Sequence, residues 1–244
     1  MLSINDLNDL FNVKKPIFGM VHLLPLPGAP LYGGDLKPVL ERALQDARTL
    51  EKGGVDALII ENFHDIPFFR ETQEPETVSA MTVMAYEVSK AVSIPIGLNV
   101  LRNSWKAAIA IAHIVGGIFI RLNILTDVMV TDQGPVIGRA AEATRYRKFI
   151  GAENVRIFSD VYSKHAAPIA ERPIGVIARD MAHRGMADGI IISGEESSDP
   201  AKLEDIEAVR KAVPDTPLIL GSGMTPAHAE MVEYVDAAVF GYGA

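Results

Sequence analysis

The 244 residues carry a formal net charge of −8, and they include 48% hydrophobic residues and no cysteine. This charge disfavours binding to nucleic acid or anionic lipid, and the lack of cysteine excludes disulfides and thiolate metal sites. The length is typical of an α/β protein with a (β/α)8 barrel, so residues 1–244 are predicted to form a single barrel domain.

The N-terminal segment shows no targeting signal. Met1 to Lys15 alternates Asn and Asp with Leu, and it lacks the basic start and the long apolar run of a signal peptide. The longest apolar stretch, Ala107 to Ile120, is interrupted by His113, Gly116 and Gly117. We therefore interpret it as a helix end, a turn and a strand, and we expect a cytoplasmic protein without an integral membrane segment.

Short β-prone runs alternate with longer segments of helical periodicity, a pattern that is typical of βαβ units and a parallel sheet. Several runs are continuously apolar, as expected of strands that helices cover on both faces. Leu36 to Lys52 and Ala201 to Val213 have the amphipathic spacing of outer helices. The eight predicted strands are Ile17 to His22, Ala57 to Glu61, Ile96 to Val100, Ile118 to Leu122, Val155 to Asp160, Gly189 to Ser193, Leu218 to Gly221 and Ala237 to Phe240.

Eight strands favour a closed barrel over the alternative, a doubly wound open sheet. A repeated helix-to-strand joint indicates a repeated βα unit, which fits either architecture: glycines precede the strands at Gly53 to Asp56, Gly116 to Gly117 and Gly185 to Asp188. The given chain stops at Ala244, just after the eighth strand, so the eighth outer helix is expected to be missing from it.

The strand-to-helix segments are long, and in barrels this side carries the function. In one of them, Val128 to Ile137 is predicted to form a β-hairpin lid, because two β-prone runs flank the turn-like Asp132-Gln133-Gly134. In another, Phe63, His64 and Phe68 to Phe69 indicate either a lid or a contact in a homo-oligomer.

Polar residues follow apolar strand bodies at several predicted strand ends, and the C-terminal ends of the strands converge in a barrel. Ionisable groups that cluster there are suited to acid and base catalysis. The predicted catalytic residues are Glu61, Asp160, Lys164 and His165, and the predicted substrate-binding residues are His22, Asn99, Arg121, Asn123, Asp132 and Ser193.

Each of these residues also has a purely structural interpretation. Arg121 could clamp a carboxylate or phosphate of a ligand, or it could form an internal salt bridge to Glu61 or Asp160. His22 shares a strand face with Phe18 and Met20, which also fits a core histidine. His22, Glu61, Asp160 and His165 could bind a divalent metal, but no recognised ligand spacing supports a metal site. The sequence therefore leaves the cofactor unknown.

The strongest anion signal is Gly221-Ser222-Gly223, which ends a predicted strand before a helix with Thr225 as N-cap and Pro226 in its first turn. Glycines allow close approach of a phosphate to backbone amides, and barrels often bind phosphate after strands seven and eight. Gly241, after the eighth strand, completes the predicted phosphate-binding set. A tight structural turn is the alternative.

The chain resembles the BtpA/SgcQ family over nearly its whole length. The resemblance rests on Gly19 to Gly28, Asp56 to Asn62, Thr131 to Gly134, Ser159 to Val161 with Lys164 to Ala166, and Gly221 to Gly223. It implies a barrel similar to the ribulose-phosphate-binding type. The family is named for a role in photosystem I biogenesis, and relatives are associated with sugar metabolism.

Two segments depart from the family pattern: Gly241-Tyr242-Gly243, where hydroxyl-bearing residues and Lys are expected, and the more acidic Ser193-Gly194-Glu195-Glu196. Two functional hypotheses follow. The first is an enzyme that performs acid/base chemistry, as an isomerase, lyase or hydrolase, on a small anionic metabolite such as a sugar phosphate or nucleotide-like molecule. The alternative is a non-catalytic assembly factor for a membrane protein complex of the photosystem I type.

Overall fold

Eight parallel strands close into a barrel in the computed structural model, which describes residues 2–71, 74–194, 201–221 and 226–241. The order around the barrel is β1-β11-β10-β9-β7-β4-β3-β2. This confirms the predicted (β/α)8 class and excludes the open sheet. The barrel strands are β1 (Ile17–His22), β2 (Ala57–Glu61), β3 (Ile96–Asn99), β4 (Phe119–Leu122), β7 (Arg156–Asp160), β9 (Gly189–Ile192), β10 (Leu218–Leu220) and β11 (Ala237–Phe240).

Helices lie between successive barrel strands and pack their apolar faces against the outside of the sheet. They are α2 (Lys37–Lys52), α3 (Pro75–Ala91), α4 (Trp105–Val115), α5 (Ala140–Phe149), α6 (Ile174–His183) and α7 (Leu203–Ala212). The predicted helix before β11 is present as a 3₁₀ helix, Pro226–Tyr234. Within the described ranges, no helix combines the length and the apolarity needed to cross a bilayer.

The N-terminal end of the barrel is closed by aromatic side chains and by a helix that precedes β1, α1 (Ile4–Phe11). Its N-terminus is fixed by a capping box between Ser3 and Asp6. Phe11 packs 5.0 Å from Phe18 between ring centroids, and Phe18 lies 5.2 Å from Phe119 in the same interior cluster. A ligand therefore has its entrance at the opposite, C-terminal end.

An aspartate directly precedes three barrel strands, and two of them, Asp56 and Asp188, end the glycine joints of the sequence. In each case the aspartate forms two hydrogen bonds with one residue of the neighbouring strand. Its carboxylate accepts from the backbone amide of that residue, and its own backbone amide donates to the carbonyl of that residue. This pair of bonds sets the register where two strands begin. The pairs are Asp56 with Ile17, Asp188 with Ile157, and Asp236 with Leu218.

The predicted hairpin is present as β5 (Val128–Thr131) and β6 (Gly134–Ile137), and it gains a third strand, β8 (Ala166–Pro168). This small antiparallel sheet lies at the C-terminal side, because the chain reaches it directly from the ends of β4 and β7. Arg70, in the segment after β2, donates a hydrogen bond to the Pro135 carbonyl at 3.3 Å. Segments that follow three barrel strands thus meet at the barrel mouth.

Candidate active site

A cavity of about 280 Å³ opens at the C-terminal mouth of the barrel. Its ionisable lining residues come from the ends of β1, β2, β4 and from the segments after β3 and β7. They are His22, Glu61, Arg102, Arg121, Lys164 and His165. Among the residues that the structure describes, three cationic side chains and two imidazoles thus line the cavity with one carboxylate, in a chain whose formal net charge is −8.

Glu61 forms the carboxylate centre of the cavity. It ends β2 and is only 6% exposed, and β2 pairs in register with β1 at His22 and with β3 at Asn99. The Asn99 amide donates to Glu61 Oε1 at 2.5 Å, and His22 Nε2 lies 3.3 Å from Glu61 Oε2. The imidazole of His22 stacks on Phe63 at 4.5 Å between ring centroids. The result is a positioned carboxylate and imidazole pair that can exchange protons with a ligand.

Arg121 and Asp160 form a buried ion pair beside this pair. Arg121 Nε and Nη2 donate to the two carboxylate oxygens of Asp160 at 3.2 and 3.0 Å, and Asn123 Nδ2 adds a bond at 3.1 Å. Arg121 and Asn123 line the cavity, whereas Asp160 lies behind them, 2% exposed. Burial disfavours the charge on Arg121, but the nearby Asp160 and Glu61 carboxylates outweigh this and raise its pKa. The internal salt bridge anticipated as an alternative is therefore present.

Lys164 and His165, two of the predicted catalytic residues, follow β7 and line the cavity. His165 adopts a left-handed backbone conformation at φ 52° and is exposed to solvent. The Lys164 carbonyl accepts a hydrogen bond from the guanidinium of Arg102. These two residues place an ammonium and an imidazole at the rim of the cavity.

Arg102 is a cavity residue that the sequence prediction missed. It is 6% exposed, and Nη2 donates to Ser163 Oγ at 2.8 Å. The neighbouring Asn103 fixes this segment, because its side chain exchanges two hydrogen bonds of 2.9 Å with the backbone of Ile124. The sequence feature that could have indicated Arg102 is its position, three residues beyond Asn99 and just past the C-terminal end of a strand.

The other predicted substrate-binding residues take different places. Asn99 supports Glu61 from the side, and Ser193 Oγ is buried next to Gly221, where an added Cβ would lie 1.9 Å from it. Asp132, in the turn of the hairpin, has Oδ1 at 3.9 Å from the Arg102 guanidinium. The hairpin thus reaches the rim, while the described residues that line the cavity belong to other segments.

The predicted phosphate site is only partly described. Gly241 lines the cavity and lies against Met20, since a Cβ there would come within 2.7 Å of Met20 Cγ. The Gly221 amide donates to the Ile192 carbonyl at 2.6 Å. Ser222 and Gly223 lie outside the described residues, as do Thr225, Glu195 to Glu196 and Tyr242 to Gly243.

Two further predictions concern the aromatic loop and a metal. Phe63 and Phe68 line the cavity, whereas Phe69 is 52% exposed. Within the described ranges, His, Asp and Glu side chains form no group of three or more that is placed to hold a metal ion. Asp160, one of the four predicted candidates for a metal ligand, is occupied by Arg121 and Asn123.

The closed parallel barrel and the charged cavity at its C-terminal mouth define the class: an α/β-barrel protein with a small-molecule type of pocket. The chain belongs to the BtpA family, whose model matches residues 13–242. It is 46% identical over 218 residues to the photosystem I biogenesis protein BtpA of Synechocystis sp., an alignment that covers 89% of this chain and 76% of that protein.

Solved structures show the same fold at low sequence identity. The N-acetylmannosamine-6-phosphate 2-epimerase of Clostridium perfringens matches with a TM-score of 0.60 and 14% identity, covering 95% of this chain and 89% of that one. A putative phosphonomutase of Burkholderia cenocepacia matches with a TM-score of 0.59 and 18% identity, covering 98% and 92%. These likenesses concern the barrel itself.

Proposed function

We propose that this protein is an enzyme that performs acid/base chemistry on a phosphorylated small molecule at the barrel mouth. One observation carries the proposal: among the described residues, Arg102, Arg121 and Lys164 line one cavity together with a single carboxylate, that of Glu61. Cations at short range attract an anionic ligand despite the acidic chain, because more distant surface charges are screened beyond about 8 Å.

Glu61 is the proposed proton acceptor and donor. Its two oxygens face different partners, the Asn99 amide and the His22 imidazole, so its orientation is fixed before a ligand binds. His22 is positioned to exchange a proton with Glu61, and His165 and Lys164 are the proposed groups at the opposite rim. Asp160 has the role of a positioning residue, since it contacts Arg121 and Asn123 rather than the cavity.

The phosphate of the substrate is proposed to bind at the ends of β10 and β11, against backbone amides near Gly221 and Gly241. Two features support this placement: Gly241 lines the cavity, and this corner of a barrel commonly binds phosphate. The epimerase and the phosphonomutase with the same fold carry phosphorus-containing substrates in their names. By analogy of fold, they favour the same substrate class here.

Ligand binding and turnover test the proposal separately. A thermal-shift screen identifies ligands by comparing sugar phosphates and nucleotides with the matching unphosphorylated compounds, with and without divalent metal. A ligand at a hundred times its Kd stabilises the folded protein by about 2.7 kcal/mol. NMR then follows turnover of each ligand. Glu61→Gln keeps the shape of the side chain and should lower kcat/KM by about 10²- to 10⁴-fold. Glu41→Gln, an exposed carboxylate on α2, is the matched control. Equal stabilisation by phosphorylated and unphosphorylated compounds would contradict the proposal.

A second candidate, a protein-binding role in assembly, is favoured by one surface. On the small sheet, Val130, Ile137 and Ile169 are 49%, 43% and 63% exposed. The strand register places them on one face with Val128, Pro135 and Ala167. The relative from Synechocystis sp. is named for photosystem I biogenesis, so the partner under this candidate is a membrane protein complex. Val130→Lys should abolish partner binding and spare metabolite binding if this face has that role.

A further inference from the structure

We propose that the substrate carries a second anionic group, a carboxylate or a second phosphate, which binds to Arg102 on the side of the cavity opposite the phosphate. This inference rests on the proposed function, because it names a further chemical feature of the same substrate. It assigns to Arg102 the role of a specificity-determining residue.

The first argument is the state of the Arg102 guanidinium. It is 6% exposed, and its described hydrogen-bond acceptors, Ser163 Oγ and the Lys164 carbonyl, are both neutral. Its Nε is buried and makes no hydrogen bond within the described part of the chain. The nearest carboxylate in the described part of the chain, that of Asp132, is 3.9 Å away and 65% exposed, so it compensates the charge only weakly. A buried cation without a bonded anion is costly, and an anionic ligand removes this cost.

The contrast with Arg121 supports this argument. Both arginines are buried and line the same cavity, but Arg121 is held by both oxygens of Asp160. Burial lowers the pKa of Arg102, and the nearby carboxylates only partly oppose this, whereas the pKa of Arg121 is raised. The protein thus supplies the counter-ion for one guanidinium and leaves the other to a ligand.

The second argument is the position of Arg102 in the barrel. Arg102 follows β3 and is bonded to the segment after β7, so the two segments flank β4. Counted around the barrel, β4 is four strands from β11 in either direction. The proposed phosphate end at Gly241 and the guanidinium of Arg102 therefore lie on opposite sides of one cavity. Glu61 and His22, on β2 and β1, lie between them along one side, where the middle of a two-ended substrate would react.

Calorimetric titration with three probes tests the inference: ribose phosphate with one anionic end, phosphoglycerate with a phosphate and a carboxylate, and ribulose bisphosphate with two phosphates. The wild type should bind at least one two-ended probe about tenfold or more tightly than ribose phosphate, as expected for a charge-assisted guanidinium bond. The better of the two two-ended probes identifies the second group as carboxylate or phosphate.

Arg102→Gln, which retains hydrogen-bond donors for Ser163 and Lys164, and Arg102→Met should both abolish this preference. The affinity for the two-ended probe should fall by a larger factor than the affinity for ribose phosphate, which loses only the general attraction of one cavity cation. Arg139→Met is the matched control, because Arg139 is bound to Glu71 outside the cavity. A preference that is absent in the wild type, or that survives in either folded variant, overturns the inference while the proposed function stands. If no phosphorylated probe binds, the proposed function and this inference both fall.

Discussion

Replacing Arg121 by methionine leaves Asp160 buried without its counter-ion, and the loss of stability can be worked out from the structure. Asp160 is 2% exposed, and two of its hydrogen bonds come from Arg121, at 3.2 and 3.0 Å. Breaking a buried pair from one side costs about 3 to 5 kcal/mol. For a chain of this length the melting temperature should fall by about 6 to 20 °C.

The loss should depend on pH. Burial already raises the pKa of Asp160 in the wild type, and Arg121 is the main group that opposes this shift. Removing Arg121 therefore raises the pKa of Asp160 further in the folded state, while the unfolded value is unaffected. Stability is then lost as the pH rises above the unfolded pKa, with a slope that reaches about 1.4 kcal/mol per pH unit. Arg121→Met should therefore differ least from the wild type near about pH 4 and more at about pH 7.

Urea unfolding of the wild type and the variant at several pH values measures both effects. Adding Asp160→Leu to Arg121→Met should recover most of the loss, since it removes the stranded carboxylate. Arg139→Met, which breaks a partly exposed pair with Glu71 at 3.2 Å, should cost no more than about 1 kcal/mol. A loss below about 1 kcal/mol at neutral pH, or one that does not vary with pH, would refute the reasoning.

Three further predictions concern stability. Gly97→Ala should lower the free energy of unfolding, measured with urea, by about 1 to 3 kcal/mol or more, because the added Cβ would lie 2.3 Å from the Phe119 ring. Gly33→Ala, whose added Cβ would have no atom within 4 Å, should change it by at most about 0.5 kcal/mol. Burial raises the pKa of Asp65, so the stability of the wild type relative to Asp65→Asn should fall as the pH rises from about 4 to about 7, and a rise would contradict this. Arg102→Met should lower the melting temperature much less than Arg121→Met does, since it removes a buried charge that Asp132 compensates only weakly. Equal losses would contradict this account of Arg102.

The barrel could be predicted because its strands are short apolar runs bounded by glycine and polar residues. The position of the candidate site was inferred from the same pattern, since Glu61, Arg121 and Lys164 lie at or just after C-terminal strand ends. Strand ends shift by one residue at several places; Ser193, for example, follows the strand that was predicted to include it. Such shifts leave the faces of the strands unchanged.

What could not be predicted depends on contacts between distant segments. The sequence left open whether Arg121 pairs with an acid or with a ligand, and the choice depends on the register between β4 and β7. Ala166 to Pro168 carries no strand signal of its own, so its pairing with β5 arises from the tertiary fold. Arg102 is recruited by Ser163, which is 61 residues away in the chain.

The central claim, that the barrel mouth is an anion site, is tested most directly by locating a bound anion. Tungstate imitates phosphate and scatters X-rays anomalously, so crystals soaked in it mark anion sites by their position. The account predicts an anomalous peak inside the cavity, next to Arg102 or beside Gly241. Peaks confined to the outer surface of the barrel, with an empty cavity, would contradict it.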